Sequence, residues 1–128
     1  MFNSKKKSTI DSLIGASTSI EGDIHFKGGL RIDGHVKGNV VAEAGAASIL
    51  VISEQAVIDG EVRAGHVVVN GVINGPVIST ELIELQSKAR ISGDVHYKAL
   101  EMMNGALVSG KLAHDQVAEP VLKLAASN

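Results

Sequence analysis

Ile58-Asp59-Gly60-Glu61-Val62 places an aliphatic residue two positions before and two positions after a glycine. The same pattern occurs at Ile20-Glu21-Gly22-Asp23-Ile24, Val36-Lys37-Gly38-Asn39-Val40, Ile73-Asn74-Gly75-Pro76-Val77, Ile91-Ser92-Gly93-Asp94-Val95 and Val108-Ser109-Gly110-Lys111-Leu112. The six glycines lie 16, 22, 15, 18 and 17 residues apart, about 17.6 on average. Repetition at such a period marks stacked units, each able to bury its apolar face only against its neighbours. Each copy therefore reads as one coil of a solenoid.

Between the copies lie further alternating segments: Leu30-Arg31-Ile32-Asp33, Leu50-Val51-Ile52, Val67-Val68-Val69-Asn70-Gly71 and Leu82-Ile83-Glu84-Leu85. Alternation with period two marks a half-buried strand, and no stretch from Thr18 to Leu112 sustains helical spacing. About three short strands per coil, closed and stacked, give an all-β parallel β-helix. At roughly 4.8 Å per coil, six coils make a rod about 30 Å long. The 22-residue interval contains the small-residue stretch Val41 to Ser48, which reads as about five residues bulging from the surface. The domain division is a flexible tail over 1–14, the β-helix over 15–112 and a second flexible tail over 113–128.

These coils, the basic N-terminal segment beginning Met1-Phe2 and the polar C-terminal segment resemble the bactofilin family over roughly Ile14 to Leu112. The resemblance implies a right-handed β-helix that polymerises without nucleotide into non-polar filaments, through contacts between like ends of successive subunits. It also implies filaments bound to the inner face of the cytoplasmic membrane, scaffolding cell-wall enzymes or other localised proteins, with no catalytic activity and no cofactor. Members of the family often carry a phenylalanine in the last coil, whereas here no Phe follows Phe26. Leu107, Val108 and Leu112 are the nearest apolar substitutes.

Polymerisation also follows from the residues. Each end of a β-helix exposes unpaired backbone groups and a cross-section of core, which natural proteins normally cover. Neither flank offers a convincing lid: the first is short and polar, and the second contains Pro120 with few apolar residues. Another copy of the chain satisfies such an end most simply. The candidate interface residues are Ile20, Ile24 and Leu30 near the first coil and Leu107, Val108 and Leu112 near the last. Met1 and Phe2 beside Lys5, Lys6 and Lys7 set an apolar anchor against three positive charges, a combination suited to an anionic membrane surface.

Composition excludes other roles. Twelve basic and 14 acidic residues give a net charge of −2, and the only aromatics are Phe2, Phe26 and Tyr97, so nucleic acid is not the expected ligand. Cysteine is absent, which fits a reducing compartment, and no secretory signal or membrane span is evident; the expected location is cytoplasmic. No phosphate-binding glycine loop occurs, and His25, His35, His66, His96 and His114 show no metal-ligand spacing, so no metal is expected. The rival reading is a left-handed β-helix acyltransferase trimer built on hexapeptides, whose 18-residue coil is close to the mean spacing here. The drift of the intervals from 15 to 22 residues speaks against it.

Overall fold

The computed structural model describes residues 9–115. Sixteen short strands wind into six three-sided coils. Coil 1 contains β1 (Ile10–Ile14), β2 (Ser19–Glu21) and β3 (Ile24–Phe26), and coil 2 contains β4 (Gly28–Ile32), β5 (His35–Lys37) and β6 (Val40–Ala42). Coil 3 contains β7 (Ser48–Ile52), β8 (Val57–Asp59) and the start of β9 (Val62–Val69). The rest of β9, β10 (Val72–Asn74) and the start of β11 (Val77–Leu85) form coil 4. The rest of β11, β12 (Arg90–Ser92) and β13 (Val95–Tyr97) form coil 5, and β14 (Ala99–Met102), β15 (Leu107–Ser109) and β16 (Leu112–His114) form coil 6. Every strand pairing between coils is parallel. The six-turn parallel solenoid expected from the repeat is therefore the fold.

The second face is a separate six-stranded sheet, in the order β15-β12-β10-β8-β5-β2. The first and third faces merge into one ten-stranded sheet because β9 and β11 run round the corner between them. Two buried serines make this possible at Gly65, where a tight corner would otherwise strand a peptide group. The Gly65 N–H donates to Ser48 Oγ at 2.9 Å, and Ser79 Oγ–H donates to the Gly65 carbonyl at 2.8 Å.

Inside the coils, matched register stacks like on like. On the second face Val36, Ile58, Ile73 and Ile91 form one buried column. On the first face Leu30, Leu50, Val67 and Ile83 form another, beside Ile32, Ile52, Val69 and Leu85. Val40, Val62, Val77 and Val95 complete the third face. β-Branched side chains suit such columns because their restricted χ1 matches the pleat of neighbouring strands.

The motif glycines form a column of their own at the corner between the second and third faces. A Cβ on Gly38 would lie 2.1 Å from the Gly22 carbonyl oxygen, and one on Gly75 would lie 2.2 Å from that of Gly60. The coils approach too closely there for any side chain. The next position around the corner carries a polar ladder: Asn39 N–H donates to Asp23 Oδ1, Glu61 N–H to Asn39 Oδ1 and Lys111 N–H to Asp94 Oδ1, each at 2.9 Å. Pro76 occupies the same position, where its missing N–H forfeits only this peripheral bond and no strand ladder.

The drift in coil length arises at the other two corners. The turn from first to second face holds four residues at 15–18, 53–56, 86–89 and 103–106, but two at 33–34 and 70–71. The corner from third to first face is a single residue at Lys27, Gly65 and Lys98 and two residues at 80–81, but five at 43–47, an exposed loop. That loop is the bulge expected within the longest interval. The boundary at residue 15 needs correction: Ile10–Ile14, assigned to the tail from sequence, is strand β1, paired with β4. At the other end β16 carries the last coil to His114, two residues past the expected limit.

Candidate polymerisation ends

Among the described residues the large exposed apolar side chains are Ile10, Leu13, Met102, Met103, Leu107 and Leu112, and every one lies in coil 1 or coil 6. Coils 2 to 5 bury their large apolar groups or half-cover them within the sheets. The described solenoid thus concentrates its exposed large hydrophobic side chains in its two terminal coils, about five strand spacings apart.

At the C-terminal end three core columns stop in the open. Met102 stacks on Leu85, Val108 on Ile91 and Leu112 on Val95. Leu112 is 44% exposed and Val108 half-buried. Leu107 is 58% exposed but stands in an outward column of the second face, over Arg90. Where family resemblance leads one to seek a phenylalanine, Met102, Leu112 and Leu107 supply the apolar surface. The rings of Tyr97 and His114 stack with centroids 5.4 Å apart and close the third-face side of this end.

The N-terminal end is less regular. β1 pairs with β4 through a bulge between Ile10 and Ser12, a device common on edge strands. Ile20 and Ile24 end their columns half-buried, as candidates for an end surface should. Leu30 is different: it is 3% exposed, held between Ser12 of β1 and Leu50 of β7, so it is core and does not reach the end. The end belongs instead to Ile10, Ile14 and Phe26, with Leu13 beside them in the outward column of the first face, over Arg31. A signal for this existed in the sequence. Ile14 precedes Gly22 by the same eight residues that separate Ile52 from Gly60, Leu85 from Gly93 and Met102 from Gly110. Asp11 and Ser12 obscured it by breaking the apolar alternation.

No group of three or more His, Asp or Glu that could hold a metal occurs among the described residues. His25 and His96 occupy the same outward column of the third face, four coils apart. His35 Nε2 lies 2.8 Å from Asp59 Oδ2 and His66 Nε2 2.6 Å from Glu84 Oε2, both on the outside of the solenoid. Met1, Phe2, Lys5, Lys6 and Lys7 lie outside the described residues.

A stacked solenoid of this kind is what comparison with known proteins returns. The family described as "Bactofilin: Polymer-forming cytoskeletal" matches residues 12–113. The chain belongs to the bactofilin family. Bactofilin BacO of Myxococcus xanthus is 25% identical over 105 residues, covering 82% of this chain and 80% of that protein. Bactofilin BacP of the same organism is 25% identical over 102 residues, and the match spans only 41% of its length. Among solved structures, a bactofilin of Thermus thermophilus, reconstructed by cryo-EM as double helical filaments, superposes with a TM-score of 0.71 at 30% identity. That match covers 80% of this chain and 98% of the other. This bactofilin is thus a member of a structural, polymer-forming family.

Proposed function

We propose that this bactofilin polymerises end to end, without nucleotide, through the exposed apolar surfaces of coils 1 and 6. The observation that carries this reading is that, among the described residues, the exposed large apolar side chains are confined to those two coils. Burying one such side chain contributes about 1.5–3 kcal/mol, and the unpaired strand edges around it add backbone hydrogen bonds once a second copy is seated. The filament reading is supported by the family's description and by the filaments of the Thermus thermophilus relative.

Contacts between like ends are two-fold symmetric, each needing only to complement itself. Leu112→Lys then disables the C-terminal contact and leaves the N-terminal one, so the variant is a discrete dimer with unchanged β circular dichroism. Leu13→Lys gives the other dimer. Monomers from both variants would show head-to-tail stacking instead, and undiminished filaments from both would remove the ends from the interface. The wild type is checked by negative-stain microscopy in plain buffer.

The filament is further proposed to lie on the inner face of the cytoplasmic membrane, holding cell-wall or other localised proteins. Met1 and Phe2 with Lys5, Lys6 and Lys7 are the proposed anchor. One such segment binds weakly, with about 1 kcal/mol per lysine near acidic lipid; a filament presenting one per subunit binds by avidity. Removing residues 1–7 should leave filaments that no longer sediment with anionic liposomes, and undiminished sedimentation would refute the anchor.

A further inference from the structure

The outside of the first face carries a patch that end-to-end stacking does not use. Strand alternation turns Leu50, Ile52, Val67, Val69, Ile83 and Leu85 inward, where they are at most 1% exposed. It therefore turns Ile49, Val51, Val68 and Leu82 outward on three consecutive coils, each half-buried by its sheet neighbours, with the half-buried His66 standing between Ile49 and Leu82. The other faces lack an equivalent. On the second face outward Val57 and Val72 stand between His35 and Arg90, beside Lys37 and Asp59. The third face has one outward column, interrupted by Arg63. The first face is thus the flat side most suited to lie against protein.

Its charges are arranged with opposite signs about the centre of the patch. Along one outward column the order is Leu13 in coil 1, Arg31 in coil 2, Val51 in coil 3, Val68 in coil 4, Glu84 in coil 5 and Glu101 in coil 6. Arg31 is half exposed, and its one side-chain bond among the described residues runs from Nε to Asp33 Oδ1 at 2.9 Å. Its terminal nitrogens have no partner there. Glu84 uses Oε2 for His66 and leaves Oε1 unbonded among the described residues. A half-turn about an axis lying in the contact plane, parallel to the strands and midway between coils 3 and 4, turns the face over and exchanges coil 3 with coil 4 and coil 2 with coil 5. The column then meets its own copy with Val51 near Val68 and Arg31 near Glu84.

We propose that this face pairs two protofilaments laterally, each subunit facing an antiparallel copy, with the largely aliphatic patch at the centre and the Arg31 fork reaching Glu84 of the partner subunit at both margins. The proposal rests on end-to-end polymerisation. Six strands about 4.8 Å apart, each four or five residues long, give a face of only about 400 Å². Two such faces bury less than the roughly 1,200 Å² of a standard stable interface, so free subunits should not pair through them. Subunits already linked into protofilaments pair cooperatively, because each contact holds the next in place. The two strands of the Thermus thermophilus filament are an assembly to which such a contact is suited.

The test is charge reversal read by cryo-EM of full-length protein, scored as the fraction of filament length that is paired. Arg31→Glu, which sets carboxylates against Glu84, should lower that fraction at least tenfold while single protofilaments and β circular dichroism persist. Val68→Lys, at the patch centre, should do the same. Arg31→Glu with Glu84→Arg restores the complementary signs and should restore pairing. Paired filaments in both single variants, or a wild type that forms only single protofilaments, would overturn the lateral contact and leave end-to-end stacking standing. Failure of the double variant to recover would overturn the antiparallel register. A wild type with no filaments at all would overturn the end-to-end reading and this proposal with it.

Discussion

A Cβ on Gly60 would stand 2.2 Å from the carbonyl oxygen of Gly38, one coil below. The backbone at Gly60 also has φ +159°, at the edge of the region that L side chains rarely adopt. Four more motif glycines meet the coil before them in the same way, so one corner of the solenoid is closed by main chain against main chain. Neither atom can yield without moving a coil.

Gly60→Ala should therefore destabilise the fold by about 3 kcal/mol or more, combining overpacking with backbone strain. Gly15→Ala, where an added Cβ meets nothing within 4 Å, should change stability by less than about 1 kcal/mol. Thermal midpoints of the two variants, measured in a background such as Leu112→Lys that limits polymerisation, provide the check. Equal midpoints would mean that the glycine column is not a packing constraint.

Acid should weaken the fold through two aspartates on its flank. Hydrogen bonds from Ser53 and then Arg31 hold the Asp33 carboxyl below its ordinary pKa, and bonds from Asn74 and then His35 do the same for Asp59. A carboxylate with a depressed folded pKa stabilises the protein above its unfolded pKa of about 3.9, and that contribution is lost as pH falls through the folded value. Both groups are well solvated, so the effect is small. Asp59→Asn should flatten the fall in thermal midpoint below about pH 4, and a wild-type slope in the variant would show the bonds to be energetically silent.

The loop at 43–47 should be dispensable for the fold. The equivalent corner is turned by Lys27 alone in the coil below, and the five loop residues are exposed. Shortening a flexible loop lowers closure entropy by only about 0.6 kcal/mol per halving of length. Deleting residues 44–47, which leaves Glu43 as the corner, should keep β circular dichroism and shift the thermal midpoint by no more than a few degrees. Loss of folded protein would show that the loop braces the neighbouring coils.

What was legible in the sequence was whatever the repeat imposes locally. Gly22 to Gly110 gave the number of coils and one invariant corner, because close main-chain contact tolerates a single residue type there. Ile58, Ile73 and Ile91 gave an inward column because period-two alternation assigns each side chain to one face of a strand. Those two rules need no knowledge of neighbours. They were not enough to say where the solenoid starts. Asp11 and Ser12 disguised β1, and only its pairing with β4 shows that Leu30 is core while Leu13 is surface.

The sequence by itself determined a stacked β architecture and its coil count, since both follow from spacing along one strand or one corner. Only the tertiary structure decided which of the described residues occupy the first and last coils' outer surfaces, and it alone placed Arg31, Val51, Val68 and Glu84 in one line. Residues 20, 17 and 16 positions apart become neighbours when coils stack. The register that does this depends on the lengths of the intervening turns, which vary from coil to coil and carry no motif.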